Sequence, residues 1–320
     1  MRVGLIDVDA ESRGKVTFPN LSLMKISAWH KLQGDSVEWY RPLESGHMDR
    51  VYMSKVFGDE YTEDYQWAVD ADEVIRGGSG YAISIKDGRE VHDKDKDFDL
   101  LYEVEHIMPD YALYGITDTA YGFLTRGCPK GCEFCHVASM QGRRTRTVAR
   151  LNEFWSGQKY IELLDANLTA SRDWKMHMED LIASEAAVSF NQGLDIGLIN
   201  EDKIADLNRL KWKRIHFAWD KPEEPYAERF EMLAKNLNRA NKRTVCVYVL
   251  TNAGSTHEQD LQRIMTVRAL GLQPYVMIYR KHTAPKETRK LQRWVNNPML
   301  FWSNGTFSEY LGGLNHAKLP

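Results

Sequence analysis

Three of the chain's four cysteines fall within eight residues, as Cys128, Cys132 and Cys135 of Thr125-Arg-Gly-Cys-Pro-Lys-Gly-Cys-Glu-Phe-Cys-His136. Thiolates are soft donors, and three on one short loop can wrap a single metal centre. Gly127 and Gly131 let the backbone curl without a Cβ penalty, and Pro129 stiffens the first bend. Three thiolates on a [4Fe–4S] cubane leave one iron without a protein ligand, where closed clusters usually take four cysteines. That iron is an open coordination position of the kind catalytic metal sites keep. Two other chemistries fit parts of the pattern. With His136 the three cysteines make a Cys3His zinc set, which would suit a non-catalytic metal-binding protein. Cys132-Glu-Phe-Cys135-His136 also spells the C-x-x-C-H of covalent haem attachment, which leaves Cys128 unexplained.

The C-x3-C-x2-C spacing, with Phe134 immediately before the last cysteine, resembles the cluster loop of the radical S-adenosylmethionine (SAM) superfamily. The resemblance implies a free iron that chelates the amino and carboxylate groups of SAM. It implies that an electron from the cluster breaks a carbon–sulfur bond and yields a 5′-deoxyadenosyl radical, which abstracts hydrogen from a substrate. It further implies an electron donor such as flavodoxin or ferredoxin. The sequence itself does not name the substrate. A methyl or methylthio transferase of the same superfamily is the nearest alternative.

A loop of this kind needs a scaffold, and the sequence around it repeats. Ala120–Arg126 reads as a strand leading into the cysteines, followed by a helix near Val148–Ser156. Five further strand–helix pairs follow: Tyr160–Leu164 with Trp174–Glu185, Val188–Gln192 with Glu201–Leu210, Arg214–Trp219 with Pro225–Asn238, Thr244–Leu250 with His257–Leu270, and Pro274–Tyr279 with Lys286–Val295. Strands such as Val245-Cys-Val-Tyr-Val-Leu250 are apolar without alternation, as parallel strands covered on both faces are. Six units are too few for a closed eight-fold barrel. They fit a partial (β/α)6 barrel, which is also the fold the resemblance implies. In parallel barrels chemistry sits at the C-terminal strand ends. The candidates there are Asp165 and Asn167 after the second strand, Gln192 and Asp195 after the third, and Gly254 after the fifth, with Phe134 in the cysteine loop. All six are read toward SAM. Asp165 and Asn167 stand where much of the superfamily has Gly-Gly-Glu, and turn or cap chemistry is their competing use. Asp220, Arg280 and Lys281 also stand at strand ends. Ser255 or Thr256 caps the helix after the fifth strand, with Glu258 or Gln259 near its third position. Gly142-Arg-Arg-Thr-Arg146 offers cations to the SAM carboxylate, a substrate phosphate or an acidic reductase, or forms a solvated surface. Cys246 lies mid-strand and reads as a core thiol.

Ahead of the barrel, Arg2–Asp9, Val37–Arg41, Arg50–Phe57 and Glu73–Arg76 read as strands of a small Rossmann-like parallel sheet. A helix opens at Pro19, with Leu21, Met24, Ile26, Trp29 and Leu32 on its apolar face and Gly34 closing it. A second, short helix is expected over Tyr65–Ala71. Gly77-Gly-Ser-Gly80 lacks phosphate-loop spacing and reads as a flexible turn. Lys86–Asp99 carries four Lys/Arg and six Asp/Glu, a solvated run with a hairpin-type turn at Asp87-Gly88. In position and pattern this front part resembles the cobalamin-binding domain of one radical SAM branch, but that branch's D-x-H-x-x-G ligand motif is absent. Cobalamin is therefore a possible cofactor without a ligand motif to support it.

The expected division is a Rossmann-like domain over 1–110, a barrel over 111–298 and an aromatic C-terminal cap over 299–320. The 320 residues are 27% charged and 43% hydrophobic, with a net charge of −3. That composition is globular and carries no general pull toward nucleic acid or anionic membrane. No apolar run is long enough to span a bilayer. The N-terminal apolar run is too short for a signal peptide, and four cysteines with three clustered are no disulfide framework. The cytoplasm is the expected location.

Overall fold

The computed structural model describes residues 1–86, 89–97 and 99–316. The Asp87-Gly88 turn lies outside the described residues. The chain forms two compact units. The first comprises Met1–Ala166 and Ser171–Asp173, and the second Asn167–Ala170 and Trp174–Pro320.

The first unit begins with β1 (Arg2–Asp7), α1 (Val8–Arg13), α2 (Leu21–Leu32), β2 (Ser36–Trp39), β3 (Met48–Ser54) and β4 (Ala71–Gly77). The four strands are all parallel, in the order β2-β1-β3-β4. Val3, Leu5, Ile6, Val51 and Met53 fill the strands' two faces. The expected strand over Arg2–Asp9 ends at Asp7, because Asp7 caps α1 by accepting from the Ala10 N–H. Asn20 caps α2 through the Leu23 N–H, and Leu23 and Met24 are buried while Leu32 is exposed. The apolar stripe assigned to α2 is thus wrong at its last member.

The expected helix over Tyr65–Ala71 does not form. Asp64 offers its carboxylate to the Tyr65 N–H and the Tyr81 hydroxyl, and its carbonyl accepts from Gln66. Such local bonds compete with a helix, and Tyr65, Val69 and Ala71 pack instead against Ile6, Val51 and Met53. Gly77–Gly80 is no loose turn. β4 runs into a short helix, α3 (Ser79–Ala82), and a Cβ on Gly78 or Gly80 would come within 2.4 Å of the Lys55 or Phe57 carbonyl. The charged run that follows forms an antiparallel pair, β5 (Ile83–Lys86) with β6 (Arg89–His92). The connector over Phe98–Thr119 contains α4 (Tyr102–Glu105) and a 3-10 turn, Tyr111–Tyr114.

The remainder of this unit holds β7 (Thr119–Gly122), β8 (Thr125–Arg126), α5 (Val137–Met140), β9 (Arg146–Thr147) and β10 (Tyr160–Leu163). β10 lies parallel to β7. The helix expected near Val148–Ser156 is reduced to one 3-10 turn, Leu151–Glu153. Val148 and Ala149 donate their N–H groups to the Leu124 carbonyl, which holds them extended. The Phe154 ring then lies on Gly122, where a Cβ would be 2.3 Å from it.

The second unit follows the expected alternation closely: α6 (Trp174–Ala183), β11 (Ala187–Phe190), α7 (Glu201–Arg209), β12 (Ile215–Trp219), α8 (Ala227–Asn236), β13 (Val245–Thr251), α9 (His257–Ala269), β14 (Gln273–Ile278) and α10 (Lys286–Val295). β12, β13 and β14 form a parallel sheet in that order, and Leu194 bridges in parallel to Phe217. Two last helices, α11 (Pro298–Ser303) and α12 (Phe307–His316), bring Phe301, Phe307 and Tyr310 onto Val249, Ile264, Val276 and Trp294. The tail aromatics are packed core. Cys246 is buried too, and burial pushes its thiol up to about 11. Among the described residues no helix is long and apolar enough to cross a membrane.

Candidate functional site

The cysteines occupy a pinched excursion beyond the C-terminal end of β7. β8 and β9 pair antiparallel at its neck, Thr125 against Thr147 and Arg126 against Arg146. Everything from Gly127 to Thr145 lies beyond that neck. Asp165 fastens it. One carboxylate oxygen accepts from the Thr125 N–H at 2.5 Å and the Thr125 hydroxyl at 2.6 Å, and the other from the Leu124 N–H at 3.1 Å. Asp165 is 4% exposed. Burial pushes its carboxyl up to about 6, even though these three donors pull the other way. These bonds reach 40 residues back and are neither a helix cap nor an Asx-turn, so the carboxylate holds the neck of the excursion.

Inside the excursion the arginine-bearing return strand is laid along the cysteine strand. The Cys128 N–H donates to the Gly142 carbonyl at 3.1 Å, and the Thr145 hydroxyl to the Gly127 carbonyl at 3.0 Å. The Gly127 N–H donates to the Gln141 side-chain oxygen at 3.1 Å. Gly127 has φ +91°, and a Cβ there would sit 2.3 Å from the Arg144 carbonyl oxygen. Only glycine supplies both that backbone and that clearance. Gly131 has φ +57°, and the Arg143 guanidinium lies where its Cβ would be. Cys128, Cys132, Phe134 and His136 are half-buried and Cys135 is exposed. Among the described residues, no three His, Cys, Asp or Glu side chains are gathered closely enough to hold a metal ion. The loop therefore presents three soft donors on a backbone shaped by glycine.

In the second unit, two of the residues expected to face SAM meet each other. The Asn167 side-chain amide donates to Asp195 at 3.3 Å, and its oxygen accepts from the Ala170 N–H. Asp195 accepts from the Gly197 N–H and caps a 3-10 turn, while the Thr169 hydroxyl accepts from the Asp195 N–H. Lys203 reaches the Thr169 and Leu198 carbonyls, at 2.7 and 3.0 Å. Burial lowers its pKa, against the nearby Asp195. Gln192 is exposed in the turn before Gly193. Gly254 is exposed at φ +93°, with nothing near its Cβ position. The cap after β13 is formed by Thr256 and Gln259, a reciprocal capping box, rather than by Glu258.

Arg263 was not anticipated from the sequence. It is 2% exposed and donates to the last carbonyl of β12, at Trp219, and to Leu250 near the end of β13, at 2.6 and 2.8 Å. Asp260 accepts from the same guanidinium at 2.5 Å. This ion pair ties two strand ends together from inside a helix. Its signal was an Asp–Arg pair three residues apart, turned to the same face as buried Ile264 and Val267.

No protein-family model matches the chain, and no curated protein does. Solved structures do. The radical S-adenosylmethionine methyltransferase TsrM from Kitasatospora setae, with cobalamin and a [4Fe-4S] cluster bound, superposes with a TM-score of 0.61 at 12% identity, over 87% of this chain and 72% of that one. The same methyltransferase with tryptophan substrate and a SAM analogue gives 0.56 at 11% identity, over the same shares. The likeness covers too much of the chain to fall within either compact unit alone. At such identity it is a likeness of fold.

Proposed function

We propose that the chain is a radical SAM enzyme in which Cys128, Cys132 and Cys135 hold a [4Fe–4S] cluster. When bound, the cluster would supply the electron that splits SAM and the open iron that holds it, giving a 5′-deoxyadenosyl radical for hydrogen abstraction from a substrate still to be identified. One observation carries the reading: three thiols share one glycine-bent excursion, clamped at its neck by Asp165, at the C-terminal end of a parallel strand. That is the end where parallel α/β folds place their chemistry. Asp165 and the β8–β9 neck fix where the loop starts and stops. Gly127 and Gly131 let it close, and Phe134 would face SAM. The thiols are half-buried or exposed, so they can lose their protons and converge on metal. We read β7, β10, β11, β12, β13 and β14 as the strands of an open six-fold barrel. Asn167, Gln192, Asp195 and Gly254 are the groups it turns toward SAM. A reducing cytoplasm belongs to the same proposal.

Cobalamin-dependent methyl transfer is a second reading of equal standing. It is favoured by the span of the fold likeness to the cobalamin-bound TsrM, 87% of this chain. Without D-x-H-x-x-G, the parallel front sheet would hold cobalamin with no histidine from the motif.

Anaerobic reconstitution with iron and sulfide, then SAM and dithionite, tests both. Release of 5′-deoxyadenosine supports the first reading. S-adenosylhomocysteine, formed only with added cobalamin, supports the second. A colourless protein that takes up zinc through these cysteines, and refuses iron and sulfide, overturns both.

A further inference from the structure

In the second unit the two faces of the β12-β13-β14 sheet are covered unequally. On one, Phe217, Val247, Val249 and Val276 are buried, and Phe230 of α8 meets the Phe217 ring edge-on at 6.2 Å. Residues that alternate with these point the other way. There His216 and Tyr248 are half-buried, and Tyr275 and Met277 are 41% and 44% exposed. Three rings line up on this open face. His216 stacks on Tyr248 with centroids 5.2 Å apart and planes at 1°, and Tyr275 meets Tyr248 edge-on at 5.6 Å. Tyr248 and Tyr275 are direct partners in the parallel register, so strand pairing sets the row. Among the described residues His216 Nδ1 has no hydrogen-bond partner, and neither do the two tyrosine hydroxyls. Arg214, one residue before β12, is exposed and forms no ion pair among the described residues. Burial lowers the His216 pKa and the Arg214 charge lowers it further, so the imidazole is a neutral ring near neutral pH. Burial raises the Cys246 thiol and the Tyr248 phenol, and the Arg214 charge opposes both shifts. The guanidinium is therefore within electrostatic reach of the row.

We propose that this face binds a planar aromatic carboxylate, its ring on the Tyr248–Tyr275 pair and its carboxylate toward Arg214. The inference deepens the radical SAM reading by naming the chemical class of its substrate, and it rests on that reading for the reaction alone. Aromatic rings prefer offset-stacked or edge-to-face contact with other rings. The row offers both in a fixed frame. A saturated ligand of the same size would bury surface against Met277 but make no ring contact. A guanidinium grips a carboxylate through a matched pair of N–H donors, and a neutral amide in its place forfeits that fork. One unpaired guanidinium also matches the single charge of a carboxylate. The hydroxyls of Tyr248 and Tyr275 can donate to a polar substituent on the ring.

The test measures binding to the reconstituted protein by equilibrium dialysis. The probes are 2-naphthoate, 2-naphthamide, which lacks the charge, and decahydro-2-naphthoate, which lacks the aromatic faces. Wild type should bind 2-naphthoate most tightly and keep it bound in saturating SAM. Tyr275→Leu should weaken 2-naphthoate and 2-naphthamide alike, roughly fivefold. Arg214→Gln should weaken 2-naphthoate about threefold and leave 2-naphthamide unchanged. Both side chains are exposed, so both variants should keep the wild-type urea midpoint. The proposal is overturned if wild type binds no 2-naphthoate, if it binds the saturated acid equally well, or if Arg214→Gln weakens the amide as much as the acid. Displacement of 2-naphthoate by SAM also overturns it, because the rings would then belong to the adenine. The radical SAM reading is scored separately, by release of 5′-deoxyadenosine with dithionite. No release with the binding pattern intact overturns that reading and leaves the face as a binding site, and release without the pattern does the reverse.

Discussion

The first unit has two places where parallel strands end and ligands are expected, and they are built in opposite ways. In the front sheet the strand order reverses between β1 and β3, so the crevice beyond their ends is the position where open α/β sheets bind ligands. The polar side chains there, Asp9, Asn20 and Lys55, are buried and bonded to neighbouring groups. Asp9 accepts from the Val56 and Phe57 N–H groups and from the Thr62 hydroxyl. Asn20 donates to Ser54, and Lys55 pairs with Asp59 at 2.5 Å. Beyond β7, by contrast, Asp165 holds the neck and backbone-directed bonds shape the loop, and the thiols stand half-buried or exposed. Topology nominates both places. What separates them is burial: Asp9, Asn20 and Lys55 are buried, whereas the thiols are half-buried or exposed.

The sharpest way to break this comparison is to exchange the consequences. Cys132→Ala should abolish iron and sulfide incorporation and the visible colour that goes with it, while the urea midpoint stays close to wild type. A half-buried loop thiol contributes little to folding. Iron and acid-labile sulfide analysis checks the first, and denaturation followed by circular dichroism the second. Retained iron in Cys132→Ala would mean that the loop is not the ligand set.

Asp9→Ala should do the reverse. It leaves two backbone donors and the buried Thr62 hydroxyl without their acceptor. That costs roughly 3–5 kcal/mol. Iron uptake per folded molecule should not change. A loss of iron with unaltered stability would show that the front crevice is functionally coupled after all.

Much of this was legible in the sequence, and the misses share a cause. From Tyr160 onward, apolar runs between capped helices placed strands and helices within a few residues of where they lie, α10 at the expected bounds. Those elements are fixed by their own patterning. The two absent helices failed where distant partners claimed the backbone, Leu124 for Val148 and Ala149, and the Asp64 cluster for Tyr65. Gly78 and Gly80 looked like slack because the carbonyls they clear lie more than twenty residues earlier, at Lys55 and Phe57. Within the candidate site, cysteine spacing and glycines were readable as local facts. The neck was not, because Asp165 reaches back 40 residues to Thr125.

That reach makes Asp165 a probe of how far the neck governs the loop. Its carboxyl is raised from 3.8 to about 6 by burial. The folded chain therefore holds this proton more tightly than the unfolded chain does. Stability from this group is greatest below pH 3.8 and falls as pH rises through 6, by about 3 kcal/mol in all. Asp165→Asn removes the titration, so its urea midpoint should vary less steeply than wild type between about pH 4 and about pH 6.5. Parallel slopes would mean that Asp165 does not titrate in this range, and the buried neck would need another account.

The smallest effect belongs to Gln192, which separates a site residue from a turn residue. It is exposed, and the turn it occupies is set by Gly193, whose φ is +81°. A Cβ on Gly193 would meet the His216 carbonyl oxygen at 3.0 Å, so the glycine and not the glutamine shapes the backbone. Gln192→Ala should then change stability by less than about 0.5 kcal/mol. If the side chain reaches the ribose of SAM, losing one hydrogen bond raises the KM for SAM about fivefold with kcat unchanged. An unaltered KM would leave Gln192 as surface and shift the search for the ribose partner to the Asn167–Asp195 pair, whose oxygens and amide already face one another across 3.3 Å.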